Sequence, residues 1–156
     1  MNRTRWMLVV AMLCAALSAS AQEPFNPLKA CKKRVSNVAG AALFECKDVR
    51  VNVEAPQKQD AAQLAELFTK RQKDVPGEDA VRSDDPYVIG SKSLPSVAYT
   101  SMTSKGKAKY RWVAIPLSDG NTRVVLCSGL ERFGQSCRDA FEFLANNPDK
   151  ITDLVK

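Results

Sequence analysis

Four cysteines, Cys31, Cys46, Cys127 and Cys137, constrain this chain more than any other residues, because two cross-links would dictate which segments are neighbours. A fifth, Cys14, lies in what reads as a cleaved leader. Arg3 and Arg5 form a positive n-region, Trp6 to Leu17 an apolar h-region, and Ala19-Ser20-Ala21 the small-x-small pattern after which signal peptidase cuts. Cleavage of residues 1–21, with a mature chain beginning at Gln22, turns an odd count of five cysteines into four. In the oxidising compartment to which a leader delivers its cargo, four cysteines read as two disulfides, and although three pairings exist, proximity favours Cys31 with Cys46 and Cys127 with Cys137. Each closed loop would contribute roughly 3 kcal/mol on the chain-entropy estimate. Zinc is the competing use of four cysteines, but there is no C-x-x-C and no histidine, so no metal site is expected.

The leader also sets the expected location. Its apolar run is shorter than the roughly 20 residues that span a bilayer, and no later stretch is apolar enough to try, so no stable membrane anchor is expected. Cys14 follows Met12-Leu13, where lipoprotein processing wants a small residue, and Arg3-Thr4-Arg5 is not a twin-arginine pair. The reading is a periplasmic or secreted protein, exported unfolded. Losing the leader removes Arg3 and Arg5 and no acid, leaving 21 basic against 17 acidic side chains, a net charge of +4. Such a mildly basic chain favours an acidic surface on any partner. The remaining length suits a flexible lead-in over 22–27 and one domain over 28–156.

Along that domain, Leu28, Cys31 and Val35 are spaced for a short helix over Leu28 to Val38. Leu43 to Glu54 reads as a strand in which Val49, Val51 and Val53 alternate with Asp48, Arg50 and Asn52. Phe44 and Cys46 fall in the opposite phase, which implies a bulge near Lys47 or burial on both faces. Lys58 to Lys73 is the clearest helix, with Ala61, Leu64, Ala65 and Phe68 on one stripe. Asp74 to Pro86 reads as a loop. A meander follows: Tyr87 to Ser91 and Ser96 to Thr103 flank a Leu94-Pro95 turn, Ala108 to Ile115 follows a turn at Ser104 to Lys107, and Thr122 to Ser128 follows Ser118-Asp119-Gly120-Asn121. Gln135 to Asn146 closes as a helix presenting Cys137, Ala140, Phe141 and Leu144, and Ile151, Leu154 and Val155 fit a last docked turn. The fold class is α+β, an antiparallel meander with helices packed on it, stapled by two disulfides that each join a helix to a strand.

A helix after the first strand, a long antiparallel meander, an aromatic-bearing strand (Tyr110, Arg111, Trp112) and a final helix carrying Phe141, Glu142 and Phe143 give the chain a layout. It resembles exported bacterial proteins of the PsbP-like α/β/α sandwich group. The resemblance covers most of the mature chain and implies a binding or assembly module rather than an enzyme.

The residue inventory points the same way. Without histidine there is no Ser-His-Asp or Cys-His machinery and no imidazole relay, so a non-catalytic protein needing no cofactor is expected. Ser104-Lys105-Gly106-Lys107 matches S-x-x-K in form, but it lies in a hairpin turn rather than at the start of a buried helix. The acids Glu78, Asp79, Asp84 and Asp85 lack calcium-loop spacing and read as a solvated loop. Lys92, Lys105, Lys107, Lys109 and Arg111 interleave with Tyr110 and Trp112, yet strand alternation sends the basic and aromatic side chains to opposite faces, so nucleic acid is not the expected partner. The segment Glu131, Arg132 and Phe133, between two glycines and beside a Cys127 to Cys137 bridge, is a stiff loop suited to anchoring a protein, with Lys105 and Lys107 as accompanying cations. The expectation is an exported protein-binding module, for instance an immunity or inhibitor protein neutralising an envelope-acting toxin or hydrolase. A periplasmic carrier or sensor of a small apolar or anionic ligand is the alternative.

Overall fold

A computed structural model describes residues 25–77 and 79–156. The expected leader, its Cys14 and Gln22 to Pro24 of the lead-in lie outside the described residues. The elements in chain order are strands β1 (Lys32–Val35), β2 (Ala42–Glu45) and β3 (Val49–Val53), helix α1 (Ala61–Lys70), short strands β4 (Val81–Ser83), β5 (Tyr87–Ile89) and β6 (Lys92–Leu94), long strands β7 (Ser96–Thr103), β8 (Gly106–Pro116) and β9 (Thr122–Leu130), and helices α2 (Gly134–Asn146) and α3 (Pro148–Val155). Seven strands form one antiparallel sheet in the order β1-β2-β3-β9-β8-β7-β4, while β5 and β6 make a separate hairpin.

Both sheet faces are covered, which follows from the side-chain alternation of the central strands. On one face, Phe44, Val51, Val53, Val113, Ile115 and Val125 pack against Phe141 and Leu144 of α2 and Ile151 of α3, joined by Ile89 and Leu94 of the small hairpin. On the other, Val97, Tyr99, Trp112 and Val124 pack against Leu64 and Phe68 of α1. The Tyr99 hydroxyl, fully buried, donates to the Phe68 carbonyl at 3.1 Å and so fastens α1 to the sheet. The expected α+β class and both disulfides are present.

Helix α1 starts at Ala61, later than Lys58, because Asp60 and Gln63 form a reciprocal capping box: Asp60 Oδ1 accepts from the Gln63 amide at 2.8 Å, and Gln63 Oε1 accepts from the Asp60 amide at 2.9 Å. Of its expected stripe only Leu64 and Phe68 are buried, and the two alanines are exposed. Helix α2 buries Ala140, Phe141 and Leu144 as its spacing predicts. Asn147 and Pro148 stop it, and that proline then opens α3 at a first-turn position where no amide hydrogen is needed.

Several expectations are corrected. No helix forms over Leu28 to Val38: after a turn that buries Leu28, the chain runs as β1 with Val35 80% exposed. Pairing with β2, Lys32 opposite Glu45 through Val35 opposite Ala42, satisfies that backbone and overrides the helical spacing. Leu43 to Glu54 is a hairpin rather than one strand. Its turn at Lys47-Asp48 brings Phe44 opposite Val51 on the same face, which removes the apparent phase conflict without a bulge. The Cys31–Cys46 bridge therefore ties the ends of two paired strands, not a helix to a strand, whereas Cys127–Cys137 does join β9 to α2. The segment expected as a loop contains the edge strand β4, paired with β7. The hairpin turn expected at Leu94-Pro95 lies instead at Gly90-Ser91, where Gly90 adopts φ 57°, and Leu94-Pro95 carries the chain from the small hairpin into β7.

One glycine is demanded by close approach. A Cβ on Gly129, opposite Val49 in the ladder, would stand 2.9 Å from the Asp48 carbonyl oxygen and 2.9 Å from Val49 Cγ1. Gly129→Ala should therefore push the β2–β3 turn off the sheet, costing about 1–3 kcal/mol. Urea unfolding followed by circular dichroism checks this, and an unchanged midpoint would refute the steric account.

Candidate functional site

The loop end of the sheet, where β7 turns into β8 and β9 runs into α2, gathers most of the side chains singled out in the sequence. Ser104 and Lys105 form the two-residue turn between Thr103 and Gly106, so the S-x-x-K match sits in an exposed hairpin. Lys107 Nζ reaches Glu131 Oε2 at 3.2 Å, joining the β7–β8 hairpin to the segment that leads into α2. Both groups are well exposed, so this pair orients side chains more than it stabilises them. Glu131 to Phe133 is one 3₁₀ turn, and the Arg132 guanidinium lies 4.9 Å from the centre of the Phe133 ring, a cation–π stack. Phe133 is half-buried against the core, while Glu131 and Arg132 are exposed.

The Cys127–Cys137 bridge encloses this turn with a sequence separation of 10 residues, anchoring it to β9 on one side and α2 on the other. Beside it opens a groove of about 910 Å³ lined by, among others, Arg34, Arg50, Lys105, Tyr110 and Phe133. Arg50, Ser128 and Tyr110 stand side by side across β3, β9 and β8, on the face that also carries α1. Groove charges are partly neutralised: Arg34 Nε pairs with Glu45 at 2.7 Å, and Asp74 with Arg71 at 3.4 Å. Among the described residues Lys47, Arg50 and Lys105 have no ion-pair partner, against Asp48 alone on the acidic side, so the balance of free charge is positive.

A second concavity of about 380 Å³ lies on the opposite face, between the β5–β6 hairpin, β8 and the start of α2. Strand alternation predicts that Lys109 and Arg111 lie on a solvated face. That holds poorly for Arg111, which is half-buried because the small hairpin folds over it. Its Nη1 donates to Ser96 Oγ at 3.0 Å, that hydroxyl donates to the Asp85 carbonyl at 2.6 Å, and the guanidinium sits 5.3 Å from the Tyr87 ring centre. Burial pulls the Arg111 pKa down from its ordinary value, with Tyr87 and Asp85 opposing, and burial likewise pushes the Tyr87 phenol up. Nothing in the alternation of β8 announced this cleft, since it depends on where β5 and β6 dock.

The remaining basic residue of the expected cluster lies elsewhere: Lys92 Nζ donates to the Ala145 carbonyl at 3.1 Å and Asn146 Oδ1 at 3.2 Å, at the C-terminal end of α2. Asp84 is taken by Arg82 at 2.7 Å and Asp85 accepts from Ser83 at 2.7 Å. Among the described residues no cluster of His, Cys, Asp or Glu is arranged to hold a metal, and Cys31, Cys46, Cys127 and Cys137 are all consumed in disulfides. Among those residues, too, no helix is long and apolar enough to cross a membrane. One buried charge escaped the sequence reading altogether. Arg123, 1% exposed, donates to the Gly40 carbonyl at 2.6 Å and the Glu54 carbonyl at 3.3 Å, bracing the turns that flank β2 and β3. No family model, no curated protein and no solved structure matches the chain.

Replacing Cys127 and Cys137 together by serine should cost about 3 kcal/mol on the chain-entropy estimate for so short a loop. The fold should persist, since the β8–β9 ladder does not depend on the bridge. Thermal unfolding of the oxidised double variant measures the loss; a midpoint equal to the parent's would show that the loop needs no covalent restraint.

Proposed function

We propose that the chain is an exported, non-catalytic binding module that docks a protein partner at the loop end of its sheet. One observation carries this reading: Lys105, Lys107, Glu131, Arg132 and Phe133, drawn from two separate turns, meet at one rim beside an open groove. A stacked Arg and aromatic on a covalently closed loop has little freedom left to lose on binding, which is the condition under which a small surface binds tightly. Unpaired Lys47, Arg50 and Lys105 favour an acidic surface on the partner. The two disulfides support a life in an oxidising compartment, periplasmic or extracellular. An immunity or inhibitor protein, blocking an envelope-acting toxin or hydrolase, is the role that such a module fits. The absence of histidine and the oxidation of the four cysteines leave few groups for catalysis, and helices on both faces of the sheet support the resemblance to the PsbP-like sandwich layout.

Immobilised mature chain should capture one stoichiometric protein from a native envelope extract. With that protein purified, Arg132→Ala combined with Phe133→Ala should weaken binding by about 30-fold, the effect of losing a hot spot worth roughly 2 kcal/mol. Lys105→Glu with Lys107→Glu should mainly slow association, and more so at low salt. Affinities unchanged in both variants by surface plasmon resonance would sink the loop-end assignment.

A further inference from the structure

We propose that the cleft between the β5–β6 hairpin, β8 and the start of α2 binds a small organic acid, a carboxylate on an apolar body, with Arg111 receiving the carboxylate. It is a different surface from the loop-end rim and its groove, with only Gly129, Leu130 and Glu131 in common, and stands on separate observations. Its volume of about 380 Å³ lies within the range of roughly 300–1,000 Å³ typical of small-molecule sites. The floor is apolar: Tyr87 and Phe141 meet edge to face with ring centres 5.0 Å apart, and the Cys127–Cys137 disulfide lies beside them.

Over that floor stand three cations, Lys109, Arg111 and Arg138, and among the described residues none of them has a carboxylate within ion-pairing distance. Of the two acids of the lining, Asp85 accepts from Ser83 at 2.7 Å and reaches Arg111 only through its field, without an ion pair, and Glu131 is paired with Lys107 at 3.2 Å. A half-buried, unmatched arginine is costly unless an anion visits it. Arg111 is also held in place. Its contacts among the described residues, one hydrogen bond to Ser96 and the stack on Tyr87, use one of a guanidinium's five N–H donors, leaving others for a bidentate carboxylate. Gly134 and Gln135, in the first turn of α2, line the same cleft, and no side chain caps that helix start, so its positive end adds to the attraction. An inorganic anion would satisfy the cations but leave the Tyr87–Phe141 floor wet, and a neutral apolar molecule would leave the arginine unmatched. Only a molecule with both parts meets the whole lining.

Titration calorimetry on the mature, oxidised protein tests this with octanoate and phenylacetate, the aliphatic and aromatic forms of the same chemistry, against octanol and inorganic phosphate. At least one acid should bind saturably at one site, ten-fold or more tighter than octanol or phosphate. Arg111→Met should abolish that preference for the acid. Gly134→Phe is an independent second variant: Gly134 lines the cleft, has a helical φ of −56° and has open space where a Cβ would stand, so a ring placed there crowds the cleft without straining the backbone. It should remove binding at an unchanged unfolding temperature, which keeps the test decisive even if Arg111→Met folds poorly. Lys58→Ala, at an exposed cation that lines neither the cleft nor the loop-end groove, should change nothing. Octanol binding as tightly as octanoate, no saturable binding of either acid, full binding by Gly134→Phe, or an equal loss in Lys58→Ala would each overturn the proposal. Partner capture at the loop end is read separately, so failure here leaves that reading standing.

Discussion

Everything in this molecule hangs on the pairing of β3 with β9, residues separated by more than half the described chain. Val51 opposite Cys127 and Val53 opposite Val125 weld an N-terminal meander to a C-terminal one, making one wide sheet out of two narrow ones. Joined, the two pieces present one wide face to α2 and α3 and another to α1. The join is braced at both ends: Gly129 lets the β2–β3 turn press against β9, and at the other end the buried Arg123 of β9 donates to the Gly40 and Glu54 carbonyls. Closing such a long loop carries an entropic cost, which the burial of both sheet faces against the helices offsets.

Once β9 is central, strands β8 and β9 present two different chemistries on their two faces. Toward α1 they show Tyr110, Trp112 and Leu126, an aromatic layer that thins toward the loop end into an open groove. Toward α2 they show Lys109, Arg111 and Cys127, where the small β5–β6 hairpin folds down to leave a cleft over a half-buried arginine. The two proposed binding surfaces thus lie back to back at one end of the sheet, sharing backbone at Gly129 and Leu130. The Cys127–Cys137 bridge borders the cleft directly and steadies the turn that rims the groove.

Local signals were readable where the local pattern and the tertiary contact agree. Leu64 and Phe68 recur at helical spacing and are buried, Asn147-Pro148 marks a real boundary, and the Lys-Gly and Asp-Gly turns sit between strands as their chemistry demands. Where strand pairing outweighs helical spacing, the local pattern misleads. Leu28, Cys31 and Val35 fit a helix, but Lys32 to Val35 gains more from a ladder with β2. The phase break between Phe44 and Val49 was visible and its cause was not, because a tight turn and a bulge leave the same mark in a sequence. Of the site residues, Lys107 and Glu131 lie far apart in sequence and meet in space, whereas Arg111, on a strand face expected to be solvated, is half-covered.

The sequence by itself determined the α+β class, the disulfide partners, the final long helix and the absence of histidine, because each depends on residue identity or on neighbours a few positions apart. Only the tertiary structure decided the strand order, the burial of Arg123, the hairpin that covers Arg111 and the convergence of two turns at one rim. Those depend on contacts between segments tens of residues apart, which leave no periodic trace along the chain and are selected only when the whole sheet closes.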